Sequence, residues 1–384
     1  MRFDVLIVGG GLAGLSLAVA LRSARLSVAL VESRPPRRPE GWDARVYAVS
    51  PACAGFLSGI GIWDRLDSRR IEPVQTMAVR GDAGGRLDFS AYDSGVSELA
   101  WILEGSLMQT ELWETVTRQA NLTLFCPARP QKLELGPQAA VLDLEDGRRI
   151  EAALVVGADG ADSWVRNAAG IAVNFKHYGQ MGVVANFECS RPHRGTAFQW
   201  FREDGILAWL PLPGNRMSMV WSTPDEHARE LLGLSAEALC QRVAAAGGDA
   251  LGDFSLLTPA AGFALRLMRA PHTAAHRLAL IGDAAHAIHP LSGHGINLGF
   301  LDARALAALL AEKPDFVDAG DLALLRRYQR ARREEVVALQ TVTDGLQRLF
   351  APAHPLLAAV RNAGMNLTGR LPILRDALVR YALG

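Results

Sequence analysis

The sequence predicts a mixed α/β fold: a Rossmann-like parallel domain, interrupted by an antiparallel-sheet domain and followed by a helical C-terminal segment. Three observations carry that prediction. An apolar run at 3–8 leads through Gly9-Gly10-Gly11 into a Leu- and Ala-rich helical stretch at 12–24, then a second apolar run at 27–32. That is a β-α-β unit, which implies a parallel sheet with a right-handed crossover. From about 175 to 222 the pattern changes to alternating, aromatic-rich segments such as Ala197-Phe198-Gln199-Trp200-Phe201 and Met217-Ser218-Met219-Val220-Trp221, as in an antiparallel sheet with one covered face. A buried-strand pattern returns at 278–282, so the first domain resumes after the interruption.

The remaining elements follow in order. Pro35-Pro36-Arg37-Arg38-Pro39 breaks regular structure, and a helix-like stretch runs from Ala52 to about Leu66. Residues 99–120 read as a further helix. Residues 122–156 alternate as strands with a hairpin turn at Glu145-Asp146-Gly147 and enter Gly157-Ala158-Asp159-Gly160. Residues 224–250 read as helical, Leu298–Leu310 as a strong helix, and everything from Leu322 onward as helical, interrupted by Pro352, Pro355 and Pro372. The expected division is a discontinuous cofactor domain at 1–75, 99–172 and 265–345, a substrate domain at 76–98 and 173–264, and a C-terminal helical segment at 346–384.

Composition bounds the function. The 384 residues, 49% of them hydrophobic, suffice for a large core and two domains. Forty basic residues balance forty acidic ones, which argues against a nucleic-acid partner. Cys53, Cys126, Cys189 and Cys240 lie far apart without a C-x-x-C pair, so they read as free thiols in a reducing compartment rather than metal ligands. The Met1-Arg2 start and Ser23-Ala24 imitate a signal peptide, but the glycine break divides the apolar run into a strand and a helix. No stretch offers the ~18 apolar residues of a membrane span. The expectation is a cytoplasmic protein.

Gly9-x-Gly11-x-x-Gly14 sits between a strand and a helix, the context in which this spacing binds a dinucleotide. Gly9 permits the tight turn, Gly11 admits the pyrophosphate, and Gly14 lets the helix pack closely. Leu12 and Ala13 open that helix, whose N-terminal N–H groups suit phosphate. Glu32 ends the second strand at the offset of a ribose-binding carboxylate. The motif alone fits FAD or NAD. The later segment, Gly282-Asp283-Ala284-Ala285-His286 to Pro290-Leu291-Ser292-Gly293-His294-Gly295-Ile296-Asn297, points to a flavin. Asp283 suits a ribityl hydroxyl, and N–H groups near Gly295, Ile296 and Asn297 at a helix start suit the charge of a reduced flavin.

Three motifs in order resemble those of the FAD-dependent aromatic hydroxylases with a single flavin domain: the glycine fingerprint, Gly157-Ala158-Asp159-Gly160-Ala161-Asp162-Ser163 with Arg166, and Gly282-Asp283-Ala284-Ala285-His286 with Pro290. More narrowly, the chain resembles the ubiquinone-biosynthesis hydroxylases through Asp43-x-Arg45-x-x-Ala48-x-Ser50, Tyr178-Gly179-Gln180, Leu207-Ala208-x-Leu210-Pro211-Leu212, Val220-Trp221-Ser222, and a tail from Asp344-Gly345-Leu346 to Arg361-Asn362-Ala363-Gly364. The resemblance implies FAD as cofactor, with Gly282, Pro290 and Gly293 among its contacts, and NADH or NADPH and O₂ as co-substrates. It assigns Asp159 and Arg166 to FAD and the nicotinamide nucleotide, and Arg45 to the FAD diphosphate or ring. It implies oxygen addition at flavin C4a and attack of the hydroperoxide on an electron-rich phenol carrying a polyprenyl chain. Two departures stand out. The family usually has Gly-Gln-Gly at 293–295 and commonly Glu-Asn-Arg at 104–106, where this chain has Glu104-Gly105-Ser106. That Arg is a flavin-side contact in relatives, and Gln109 or Arg45 is the candidate to replace it.

Other candidates are less specific. Trp200, Trp209 and Trp221 are expected to wall a dry substrate pocket, although strand alternation turns only half such residues to one side. His289 and His294, with Pro290 between them, are the catalytic candidates, since a neutral imidazole suits phenol deprotonation. Holding their loop is the plainer role. From Gly345 onward five arginines (Arg348, Arg361, Arg370, Arg375 and Arg380) face Asp376 alone, a pattern for packing on the chain's own domain or for peripheral contact with the inner membrane or a biosynthetic complex. The competing functions are a hydroxylase of a small soluble aromatic compound and a non-catalytic flavin- or quinone-binding partner.

Overall fold

A computed structural model describes residues 1–82, 84–287, 295–350 and 362, in three sheets. The first sheet runs Ala274–Ala275, Leu278–Leu280, Arg149–Gly157, Arg2–Val8, Val28–Val31, Leu122–Phe125. Arg2–Val8 is parallel to both of its neighbours. Val5, Leu6, Ile7 and Val8 are all buried because both faces of this strand are covered, so its sequence is a continuous apolar run. Helices Leu12–Ala20, Gly105–Thr117 and Gly295–Glu312 cover one face, and the hairpin Pro130–Leu135/Ala140–Leu144 covers the other. The hairpin turns at Gly147, where φ is +85°, into Arg149–Gly157.

The second sheet has nine strands. Its centre is Asn174–Cys189, Arg216–Pro224, Gly205–Leu212 and Thr196–Arg202, antiparallel throughout. The hairpin Thr76–Arg80/Arg86–Ser90 joins its edge, parallel to Thr196–Arg202. Helices Asp225–Gly233 and Ala236–Ala246 pack on one face. The expected single helix at 224–250 is thus two, because the chain turns at 234–235 and Ser235 Oγ accepts from the Ala238 N–H to cap the second. The third sheet holds Val46–Val49, Ala100–Glu104 and Glu72–Val74. Here the expected helix at 99–120 starts late. Residues 100–104 are a strand paired on both edges, and only Gly105–Thr117 is helical.

The helix-covered face of the second sheet takes the aromatic side chains. Trp209 and Trp221 are fully buried among Leu231, Leu239 and Val243, and Trp200 packs on them with its ring 4.6 Å from that of Trp209. By alternation, Val184, Asn186, Ala208, Leu210, Ser218 and Val220 lie on the other face. Asn186 Nδ2 donates to the Asp43 carbonyl at 2.8 Å, so it is this other face that meets the first domain. The pocket-wall expectation for Trp200, Trp209 and Trp221 is therefore corrected: all three belong to a core turned away from Asp43. The strand registers put them on one face, and the sequence alone does not say which face the helices cover.

Near the C-terminus, Asn362 is buried and returns to the hairpin, accepting from the Gly85 N–H at 2.8 Å and donating to Asp82. The other expectations for 351–384 lie outside the described residues. Among the described residues no helix is long and apolar enough to cross a membrane.

A core role for Trp209 has a direct consequence. Trp209→Ala is expected to lower the unfolding free energy by about 3–5 kcal/mol in a denaturant titration, while Trp209→Phe leaves the KM for the aromatic substrate unchanged. A raised KM at unchanged stability would return Trp209 to the pocket.

Candidate cofactor and active site

The glycine fingerprint is a set of close approaches. Gly9 has φ +111°, and a Cβ there would collide with the Ala158 carbonyl. A Cβ at Gly14 would collide with the Gly9 carbonyl and come within 3.1 Å of the Ala158 methyl. Gly14 thus serves the turn as well as the helix. Gly11, the N-cap of helix Leu12–Ala20, has no protein atom within 4 Å of where its Cβ would stand. This open space at the helix N-cap is what a pyrophosphate approaching the first N–H groups requires.

Side chains from distant elements fix this turn. Glu32 Oε2 accepts from the Gly10 N–H at 2.6 Å, while Oε1 accepts from Ser33 Oγ and the Arg34 N–H. Gln109 Nε2 donates to the Gly10 carbonyl at 2.9 Å. Both residues were expected at the cofactor. The structure gives each a further task, holding the loop that would carry the phosphates.

The middle motif is also built from within. Asp159 Oδ1 accepts from Ser163 Oγ at 2.5 Å and Oδ2 from the Val165 N–H at 3.0 Å, anchoring helix Trp164–Ala168. Arg166 is 2% exposed and donates to the carbonyls of Ala161 and Ala284, at 3.0 and 3.1 Å. It therefore ties the middle motif to the third, and burial pulls its guanidinium below its ordinary value.

At the third motif, Gly282 (φ +59°) turns the chain out of the first sheet, and His286–Ala287 then pairs with the second. The Ala13 methyl would lie 3.1 Å from a Cβ at Gly282 and 3.3 Å from one at Gly299, so the fingerprint helix, this turn and helix Gly295–Glu312 pack in near contact. The anchor is Asp302, fully buried. Its Oδ2 accepts from the Gly282 N–H at 3.0 Å and pairs with His286 Nε2 at 2.7 Å, while Oδ1 pairs with Arg332 Nε at 2.7 Å. Burial alone would raise the Asp302 carboxyl, but His286 and Arg332 outweigh it and hold it below its ordinary value. Burial likewise opposes the charge on His286, yet Asp302 keeps this imidazole above its ordinary value. Asp283 reaches solvent on one side, but the protein packed around it desolvates the carboxyl and raises it, with Asp302 adding to the effect.

The remaining candidates converge on the same region. Asn297 is buried, accepts from the Ser50 N–H at 3.0 Å and donates to the Ala48 carbonyl at 2.8 Å. It fastens the start of helix Gly295–Glu312, with Gly295 and Ile296, to strand Val46–Val49. Arg45 is exposed, its guanidinium without a hydrogen bond or ion pair among the described residues. His289, Pro290, Gly293 and His294 lie outside the described residues.

Two centres were missed by sequence reasoning. One is Asp302 with Arg332. The other is Asp43, whose carboxylate accepts from the N–H groups of Arg45 and Ser106 and whose own N–H donates to Glu104, itself paired with Arg70 at 2.7 Å. Asp43 stood inside a quoted motif, so its signal was present. Asp302 had none beyond its helix.

Fold and fingerprint together define an FAD-dependent flavoprotein. The chain belongs to the FAD binding domain family, whose model matches residues 2–343, in its ubiquinone-hydroxylase branch. It is 36% identical to the ubiquinone hydroxylase UbiL of Rhodospirillum rubrum, over 99% of this chain and 89% of that one. It is 32% identical to the 3-demethoxyubiquinol 3-hydroxylase of Escherichia coli, over 99% and 98%. Among solved structures it is similar to PqsL of Pseudomonas aeruginosa in complex with 2-aminobenzoylacetate, with a TM-score of 0.80 and 25% identity, over 95% of this chain and 99% of that one.

The Asp302 centre predicts a pH dependence of stability. An aspartate held below its ordinary value contributes above about pH 4 and loses that share as pH falls through its lowered value. A histidine held above its ordinary value contributes fully below about pH 6.5 and loses its share as pH rises through the raised value. His286→Gln should remove this alkaline loss from a series of denaturant titrations, and Asp302→Ala should cost about 3–5 kcal/mol by leaving Arg332 and His286 buried without their partner. An alkaline decline identical in wild type and His286→Gln would contradict the assignment.

Proposed function

We propose that this protein hydroxylates the aromatic ring of a polyprenylated phenol in ubiquinone biosynthesis, using FAD, NAD(P)H and O₂. The observation that carries the reading is the end-to-end similarity to two ubiquinone hydroxylases, in a chain whose glycine fingerprint leaves open space at Gly11. Bound FAD supplies the oxygen-activating redox chemistry. The chain supplies the rest. The N–H groups at Gly11, Leu12 and Ala13 bind the diphosphate, and Glu32 and Gln109 keep their loop in place. Asp283 orients the ribityl chain. The helix start at Gly295, Ile296 and Asn297 stabilises negative charge on the reduced ring.

The substrate would lie against the face of the second sheet that carries Val184, Ala208 and Val220. These side chains are small and apolar, which favours a dry reaction space. A cytoplasmic location with peripheral membrane contact through the arginine-rich tail belongs to the proposal, supported by the five-to-one charge excess there.

A second reading, hydroxylation of a small soluble aromatic compound, is favoured by the likeness to PqsL, which was solved with 2-aminobenzoylacetate. Turnover under ¹⁸O₂ tests both. The expected result is one labelled oxygen per product and a kcat/KM that rises with the length of the prenyl chain. Labelled product with no chain-length dependence supports the small-molecule reading, and NAD(P)H oxidation without labelled product contradicts both.

A further inference from the structure

Position 105, at the start of helix Gly105–Thr117, is a glycine, and position 106 is a serine. The structure shows what fills the space. Val46 and Ala48 pack toward Leu210 and Ala197 of the second sheet, whereas Tyr47 packs on the core of the first. Tyr47 stands opposite Leu103 in the strand ladder, beside the start of helix Gly105–Thr117. A Cβ at Gly105 would lie 2.8 Å from Cε2 of the Tyr47 ring. The backbone there is pinned: the Gly105 N–H donates to the Arg45 carbonyl at 2.9 Å and the Ser106 N–H to Asp43 Oδ2 at 3.1 Å. The Tyr47 ring therefore occupies room that a side chain at 105 would take.

The surroundings of the hydroxyl point to its use. Arg45, Asp283 and Asp43 are the charged groups that act on it, and Asp283 faces the cofactor in the reading above. Among the described residues the hydroxyl has no hydrogen-bond partner. Burial raises its pKa above the ordinary value, so it is a neutral donor at physiological pH.

We propose that Tyr47 is a flavin-positioning residue for which Gly105 makes room, its hydroxyl giving the bound flavin a side-chain contact from strand Val46–Val49. The proposal rests on FAD occupying the cleft between the fingerprint and the Asp283 turn. It makes Gly105 and Tyr47 one feature, the missing side chain of the first leaving room for the ring of the second.

The test uses the full-length protein titrated with FAD. Two quantities are read: the dissociation constant, and the fluorescence lifetime of bound flavin, which a phenol at contact distance shortens. Tyr47→Phe keeps the ring and removes the hydroxyl. It should weaken FAD binding about fivefold, the effect of one hydrogen bond, and lengthen the lifetime. Gly105→Ala should produce both changes with Tyr47 still present, because the new methyl displaces the ring. Melting of the FAD-free variants controls for folding. Unchanged affinity and lifetime in Tyr47→Phe, at wild-type melting temperature, overturns the proposal. Wild-type protein that fails to bind FAD overturns the cofactor reading beneath it, so the two failures are distinct.

Discussion

The cofactor side of this protein depends on near-contact between backbones that only glycine permits. Gly9 lies against the Ala158 carbonyl, and Gly14 lies against Gly9. Side chains at these positions would push the fingerprint helix off the turn and the turn off the middle motif. With those two contacts made, the helix N-terminus and the open space at Gly11 lie together. Glu32 and Gln109 then grip Gly10 from opposite sides, through its N–H and its carbonyl. A phosphate site of this kind consists of backbone, so its accuracy depends on the residues that hold that backbone still.

The same logic governs the third motif. Asp302 gathers the Gly282 N–H, His286 and Arg332 around one buried carboxylate. A lone buried charge is costly, and this one is tolerated because the Gly282 N–H, the His286 imidazole and the Arg332 Nε all meet it. The result fixes the turn that presents Asp283. Asp43 does the equivalent work between the sheets, binding the start of helix Gly105–Thr117 through Ser106 and the second sheet through Asn186. The turn that presents Asp283 and the junction between the sheets thus rest on two aspartates, Asp302 and Asp43.

Much of this was legible in the sequence. The fingerprint could be read because its strand, glycines and helix are local and each constraint has a residue type that meets it. The antiparallel sheet could be read from alternation. Other features depend on partners far along the chain. Ala100–Glu104 looked like the first turn of a helix and is a strand, because Val46–Val49 and Glu72–Val74 pair with both its edges. Trp200, Trp209 and Trp221 were expected to wall a pocket and instead lie under the helices Asp225–Gly233 and Ala236–Ala246, since parity cannot say which side the helices cover. Arg166 carried a family role on its motif, but its donation to the Ala284 carbonyl, more than a hundred residues on, is visible only in the fold.

The account's central claim, that one FAD is cradled where the fingerprint turn opens, is tested most directly at Gly11. Its φ of −78° suits any residue, and a Cβ there meets no protein atom, so Gly11→Ala should leave the FAD-free protein as stable as wild type. It should nonetheless weaken FAD binding severely, because the new methyl stands where the diphosphate must approach. Undiminished affinity for FAD in Gly11→Ala, measured by titration, would contradict the claim.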